Sequence, residues 1–390
     1  QAATTRAPNM TNVLRHCHLL AFIPRPPSIL WLNSAMSRAA LPNSGRTSPP
    51  LVKHVLWSVT PAQTASPYIR DIVGAIEDRG WSVGFLTLKE LMSSSNQVVH
   101  IQWPEHVSRG ATARATALKN ARSLAIVAAL RLRRHTVVLT AHNRAPHGAS
   151  NRVDRIFRRA VQQQARATVT LVAGHEQTLR ADGAIAHGSQ VVTIPHPTHA
   201  PDSPLSLAPE DERRTLVVLG QIHPYHQIEE FVAALHEACN LRPVVVVGGV
   251  GDRPLLDRLE MLAHSREWLT VRPGFASDAD LVPILSNAAA IVSLQRNTFN
   301  SGGPFYALPR GLPIVINAGP QADDLAEHAG EDWVYPVPAD VSTLDFNDFE
   351  SWLNRPRSAM DLSHYEVGAI ADRHIELYEL LRSPGPQVEF

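Results

Sequence analysis

Residues 215–231 read TLVVLGQIHPYHQIEEF. Thr215–Leu219 is apolar and β-branched, the signature of a short buried strand. Gly220 permits a tight turn and close approach of a ligand. A helical pattern then runs from Gln227 to about Ala238. This strand–loop–helix unit restarts an alternation. Downstream, the strand Pro243–Val247 leads to a helix over Pro254–Ala263. Further strands are expected at Leu269–Val271, Ala290–Leu294 and Pro313–Ile316. Upstream, strands are expected at His54–Val59, Trp81–Leu86, Val98–Ile101, Val137–Thr140, Thr168–Val172 and Val191–Ile194. Helical patterns lie between several of them, the first over about Tyr68–Arg79. Strand–helix–strand alternation predicts an α/β protein with parallel sheets and helices on both faces.

The stretch His199–Arg213 is rich in Pro, Ser and acids and reads as a linker. It divides a first α/β domain, 51–198, from a second, 199–360. The end, 361–390, reads as a helix over Asp361–Arg382 plus a tail. Tyr365, Ile370, Ile375, Leu377, Leu380 and Leu381 form its apolar side, fit to pack on either domain. Residues 1–50 lack periodicity and are expected to be a disordered or extended arm, with Met36 as an alternative natural start.

Composition narrows the class. The chain has 390 residues, 44% of them hydrophobic and 18% charged, so it can bury two cores and is not disordered as a whole. Its two cysteines, Cys17 and Cys239, make neither a disulfide framework nor a cysteine-rich zinc site, which points to a reducing intracellular setting. The stretch Leu19–Leu32 is broken by Pro24, Pro26 and Pro27, and no run reaches the roughly 20 apolar residues of a membrane span. The zero net charge hides an asymmetry. Residues 51–198 hold 18 basic against 8 acidic side chains, and residues 199–390 hold 13 against 28. The basic half could face nucleic acid, an anionic membrane or a phosphate-bearing substrate, or the two halves could simply attract each other. Nucleic acid is disfavoured: no recognition module is visible, and aromatics are only 6%.

In open parallel sheets, ligands bind beyond the carboxyl ends of the strands. Three places qualify. The loop Gly220–Glu230 offers Gly220, Gln221, His223, Tyr225 and His226 beside a helix start, where amides hold anions. The segment Asn297–Ile316 carries Asn300, Ser301, Gly302 and Gly303. Adjacent glycines let backbone amides face a phosphate, although a plain helix cap has the same sequence. In the first domain, HIQWPEH (100–106) and TAHNRAPHG (140–148) bring Glu105, His106, His142, Asn143 and His147 to one sheet edge. His and Glu suit acid/base work near neutrality. Nineteen histidines make any one of them more often structural than catalytic. No metal-binding spacing such as HExxH occurs, nor the P-loop pattern GxxxxGK[ST]. GGVGDRP (248–254) reads as a turn. SVTPAQTASPY (58–68) lacks the glycines of a dinucleotide fingerprint, which argues against a nucleotide-sugar dehydrogenase or epimerase.

These segments together resemble bacterial glycosyltransferases of the GT-B fold, and most of all the β-mannosyltransferases of xanthan-type exopolysaccharide pathways. SPYIRDIVGAIEDRG (66–80) is similar to the family's first helix. VVHIQWPEH (98–106) resembles its His-x-His-Trp-Pro-Glu strand end, with Gln102 where a second His is common. TAHNRAPH (140–147) resembles its Thr-x-His-Asn-x-x-Pro-His loop. GQIHPYHQIEEF and NSGGPFYALPRGLPIVI resemble its donor-side loops.

The resemblance implies two Rossmann-like domains facing a cleft, with a last helix that commonly crosses back. It implies a nucleotide-sugar as co-substrate, GDP-mannose being favoured, and no further cofactor or metal. The acceptor would be a glycan or lipid-linked saccharide. It assigns Glu105 as base, with His142 as alternative or positioning donor. Ser66, Tyr68, Trp103, Asn143 and His147 fall on the acceptor side. Pro273, Gly274 and Phe275 fall by the nucleotide base. His223 and His226 stand where many relatives carry Arg and Lys, so donor binding is expected to weaken above the ordinary imidazole pKa of about 6.5. Thr298 and Tyr306 replace the acidic pair of many retaining relatives, which favours inversion. A catalytically inactive scaffold of the same fold is the alternative.

Two basic helical stretches, Arg109–Arg134 and Arg152–Arg166, have apolar sides. They suit an anionic leaflet, and hence a cytoplasmic protein peripheral on the inner membrane face, or they pack on the sheet.

Overall fold

The computed structural model describes residues 53–63, 67–104, 107, 112–144, 152–199, 205–239, 242–296 and 299–383. The arm 1–50 lies outside them.

Two six-stranded sheets form, and every strand pair is parallel. The first holds β1 (His54–Trp57), β2 (Ser82–Phe85), β3 (Val98–Ile101), β4 (Thr136–Ala141), β5 (Ala165–Thr170) and β6 (Gln190–Thr193), in the order β2-β1-β3-β4-β5-β6. The second holds β7 (Thr215–Leu219), β8 (Val244–Gly248), β9 (Leu269–Pro273), β10 (Ala288–Ser293), β11 (Ile314–Asn317) and β12 (Val334–Val337), in the order β12-β11-β10-β7-β8-β9. Eleven of these strands match the expected segments to within a few residues. β12, read VYPV, is an addition. It is an edge strand, the place in a sheet where Pro336 is tolerated because its missing N–H faces no partner.

Side-chain alternation sorts each strand between two layers. In β1, Val55 and Trp57 join the core built by helix α1 (Pro67–Glu77), while Leu56 joins the opposite core with Ile126, Leu130, Phe157 and Val161. Those last four come from α3 (Ala113–Leu132) and α4 (Arg152–Gln164), which follow the six-residue α2 (Leu88–Ser93). In β7, Leu216 and Val218 face α6 (Ile228–Glu237), and Val217 faces the other way. Each fully buried side chain of this kind contributes roughly 1.5–3 kcal/mol.

The final helix begins later than expected. Ser363–Tyr365 is a separate 3₁₀ turn, and the helix proper is Val367–Arg382. Tyr365 therefore belongs to the core of the second sheet, stacked edge-on against Phe305, rather than to the helix's apolar stripe. Ile370, Ala371, Leu377, Tyr378 and Leu381 return to the first core, against α1. The helix does cross back. Arg79 and Asp372 clamp it from outside as an ion pair.

Between the sheets runs Ile194–His199, buried along most of its length. His196 packs on Tyr68 from α1 and on Phe305 from the second lobe, with ring centroids 4.6 and 4.9 Å away. The Thr198 N–H donates to the Tyr365 carbonyl and the His199 N–H to the Phe305 carbonyl, at 2.8 and 3.0 Å.

Candidate active site

The strand order of the second sheet reverses between β7 and β10, and the loops leaving these two strands part there. A crevice opens at this point. It comprises two cavities of about 390 and 490 Å³ that share Ser293, Gln295 and Ser301. Pockets for nucleotide-sized ligands span roughly 300–1,000 Å³. Gly220, Gln221, Gly274, Phe275, Gly302 and Gly303 line one side. Arg296, Asn317, Ala318, Gly319 and Gln321 line the other, with His175 from the first lobe.

Backbone packing explains the glycines. A Cβ on Gly248 would lie 1.4 Å from the Gly220 carbonyl oxygen. The Gly248 carbonyl in turn accepts the Gly274 N–H at 2.8 Å. Gly220 and Gly274 hold φ of +140° and +119°, which other residues adopt only under strain. The loops after β7, β8 and β9 are thus clipped together through backbone. Phe275 projects beyond them, 90% exposed.

Three expectations on the donor side need correction. First, the Ser301 amide is not bare: it donates to Gln321 Oε1 at 2.8 Å, and Gln321 Nε2 donates back to the Ser301 carbonyl at 2.8 Å and to Asn300 Oδ1 at 3.1 Å. The Gly303 amide points at Ser301 Oγ, 3.3 Å away. Among the described residues only the Gly302 amide of this trio has no hydrogen bond, and an added Cβ at Gly302 would meet nothing within 4 Å. Gly303 is needed for a different reason: a Cβ there would sit 2.7 Å from Ser293 Oγ.

Second, His223, Tyr225 and His226 line neither cavity among the described residues. His223 caps the 3₁₀ turn Pro224–His226 and packs under Gly251. The Tyr225 carbonyl accepts the Arg296 N–H at 2.6 Å. His226 is buried below Gly220, and burial holds its pKa down at about 4.

Third, His226 is therefore neutral near pH 7 and does not supply the titrating charge expected of it. Arg296, four residues before Asn300, is the permanent cation among the described residues lining the crevice. It is tethered to Glu230 by an exposed pair at 2.9 Å. No Asp or Glu lines either cavity among the described residues.

The first lobe has its own switch point between β1 and β3. Gln102 and Trp103 leave β3 there, and His142 and Asn143 leave the neighbouring β4. They line a second cavity together with Arg144, Arg158 and Asp182. His142 stacks on Trp103 at 4.0 Å and meets Tyr68 edge-on at 5.5 Å. Its Nε2–H donates to Gln102 Oε1 at 2.6 Å. Arg144 pairs with Asp182 at 2.6 Å. Tyr68, Trp103, His142 and Asn143 are thus brought together as expected. Ser66, Glu105, His106, His147 and Thr298 lie outside the described residues.

One short helix borders both lobes' cavities. His175 opens α5 (His175–Ala181) and lines the donor-side crevice, while Leu179 and the residues Asp182–Ala184 line the first lobe's cavity. Phe299 of the second lobe inserts beside it, stacked on His175 at 3.7 Å and packed on Leu179 and Ile185. A Cβ on Gly174 would meet Pro320 Cβ at 2.7 Å, so the two lobes touch here without room for a side chain. Burial holds His175 at about pKa 4, hence neutral. The expected cleft therefore exists, with a shared wall.

Gln295, Arg296, Asn317, Gly319, Gln321 and His175 were not singled out from sequence. Ala318–Gln321 follows β11 directly, so the rule that ligands sit beyond carboxyl ends already pointed to that loop. Nothing local marks His175.

Two doubly wound lobes with such a crevice form the GT-B architecture. Solved structures share the fold. Sucrose-phosphate synthase from Thermosynechococcus elongatus aligns with a TM-score of 0.62 at 15% identity, over 85% of this chain and 100% of that one. Anabaena Alr3699/HepE, in complex with UDP and glucose, aligns with a TM-score of 0.54 at 13% identity, over 85% and 100%. No family model matches the chain. In sequence, the chain is similar to GDP-mannose:glycolipid 4-beta-D-mannosyltransferase of Xanthomonas campestris pv. campestris, 22% identical over 346 residues, 87% of this chain and 95% of the relative.

Proposed function

We propose that this glycosyltransferase moves mannose from GDP-mannose to a lipid-linked saccharide, with inversion and without a metal ion. The observation that carries the reading is the crevice at the second switch point, lined by Arg296, by the glycine backbone of three clipped loops and, among the described residues, by no Asp or Glu. A diphosphate placed there meets a cation and the Gly302 amide rather than repelling acids. The exposed ring of Phe275 offers a face on which a purine can stack. The donor and acceptor identities are those of the Xanthomonas relatives.

An inverting displacement needs a base on the acceptor hydroxyl and stabilisation of the departing diphosphate. Glu105 is the proposed base, since TAHN and HIQWPE enter the same sheet edge. His142 orients the acceptor hydroxyl or serves as base itself. The first lobe's cavity, with Trp103, Asn143 and Arg144, would seat the acceptor sugar.

The test is thermal stabilisation by a panel of nucleotide-sugars, followed by a transfer assay. GDP-mannose should stabilise most, because a ligand selective for the folded state raises its apparent stability. Stabilisation by UDP-glucose alone would overturn the donor assignment. Binding without turnover would favour the inactive scaffold. Glu105→Gln should abolish transfer and leave donor binding intact; retained transfer rejects Glu105 as base.

The lipid-linked acceptor would bring the basic lobe to the inner membrane face. Among the described residues no helix is long and apolar enough to cross a membrane. Phe157 and Val161 of α4 pack into the sheet, but Leu118, Leu124 and Leu132 of α3 are exposed among arginines. Flotation with anionic but not neutral liposomes is the expected result; equal recovery from both removes the electrostatic attachment.

A further inference from the structure

We propose that Gln102 is a positioning residue that holds His142 as its Nε2–H tautomer, and that Tyr378 of the last helix anchors the hydrogen-bonded line holding Gln102. The role in transfer rests on the proposed function above; the tautomer itself does not.

The argument follows the protons. Gln102 Oε1 lies 2.6 Å from His142 Nε2, and an amide oxygen only accepts, so Nε2 carries the proton and the lone pair stays on Nδ1. Trp103 stacked on one face and Tyr68 at the edge prevent the ring from turning. Gln102 is itself fully buried. Its backbone N–H donates to Ser58 Oγ at 2.9 Å. Its side-chain Nε2 lies 3.3 Å from His100 Nε2, and an amide nitrogen only donates, so that nitrogen of His100 accepts. Thr140 Oγ1–H reaches the same nitrogen at 2.7 Å. His100 must then carry its proton on Nδ1, which donates to the Tyr378 hydroxyl at 2.6 Å.

The line runs Tyr378–His100–Gln102–His142. Burial keeps His100 well below its ordinary pKa and pushes the Tyr378 phenol up, so both stay neutral. Each proton placement dictates the next. The line reaches His142, a side chain that lines the first lobe's cavity. A neutral amide has a further consequence. A carboxylate at 102 would orient His142 equally well but favour imidazolium, whereas glutamine orients it without adding a charge.

Nitrogen-15 spectra of the full chain labelled at histidine test the idea, with the His142 signals identified by their loss in His142→Gln. The expected wild-type result is an attached proton on Nε2 and none on Nδ1. Gln102→Met should remove the preference, shifting the tautomer ratio about tenfold, the worth of one hydrogen bond. Gln102→Glu keeps the acceptor oxygen and should keep Nε2–H. Tyr378→Phe should weaken the preference from the far end. Transfer by Gln102→Met should fall about tenfold in kcat/KM, with donor-induced stabilisation unchanged. A proton on Nδ1 in the wild type, or an unchanged ratio in Gln102→Met, overturns the proposal. If Gln102→Met does not fold, the wild-type and Tyr378→Phe spectra decide alone. A tautomer that responds as expected in a protein showing no transfer from any nucleotide-sugar leaves the positioning intact and rejects the function.

Discussion

Two residues of the second lobe's crevice make opposite demands. Gly248 has no room for even a methyl group, since its Cβ would overlap the Gly220 carbonyl. Gly248→Ala must push two strand ends apart, and we expect a loss of about 3 kcal/mol or more, read as a lowered urea midpoint. Arg296 is partly exposed, and its pair with Glu230 is a surface ion pair of about 0–1 kcal/mol. Arg296→Gln should leave the urea midpoint nearly unchanged and weaken GDP binding about tenfold by calorimetry. Unchanged affinity would show that the diphosphate lies elsewhere. The residue types of Gly220 and Gly274 were legible in the sequence because glycine marks special backbone. The use of the Ser301 amide was not, because its partner Gln321 stands twenty positions away.

At the scale of elements, the last helix matters most. Leu377 is 3% exposed in the first lobe's core, while Asp372 meets Arg79 near the surface. Leu377→Ala should cost about 2–5 kcal/mol through lost burial and a cavity. Asp372→Ala should cost under about 1 kcal/mol. Equal losses in chemical denaturation would mean that the helix is held by charge rather than by burial. Its apolar spacing was visible in the sequence, but its start was not. Tyr365 fits the stripe by period, yet the chain breaks into a 3₁₀ turn there and buries that ring in the other lobe. Strand β12 was missed because Pro336 argues against a strand anywhere except at an edge, and edge position is a property of the sheet.

Across the whole molecule, buried neutral histidines tie stability to pH. Burial lowers His196 and His374 to about 3, and His175 and His226 to about 4. Each is depressed below the unfolded value of about 6.5, so the unfolded chain binds more protons than the folded one between those values. Their stabilisation is complete above pH 6.5 and is lost as the pH falls below it, at about 1.4 kcal/mol per pH unit for each group. Urea midpoints should therefore drop steeply between pH 6.5 and 4.5; a flat profile would contradict the buried neutral state. His374 has no hydrogen-bond partner on either ring nitrogen among the described residues. His374→Leu should accordingly flatten part of the slope without a large loss at pH 7.5.

The sequence by itself determined eleven of the twelve strands, their parallel pairing and several of the strand-end loops that line the crevice. Strand–loop–helix periodicity and turn glycines are local properties, and the order of parallel strands follows from short crossovers. Only the tertiary structure decided which polar groups remain available. It committed the Ser301 amide to Gln321, sank His226 beneath Gly220, and brought His175 of one lobe against Phe299 of the other. Burial and hydrogen bonding to distant residues set those outcomes, and neither is encoded in the spacing of neighbouring residues.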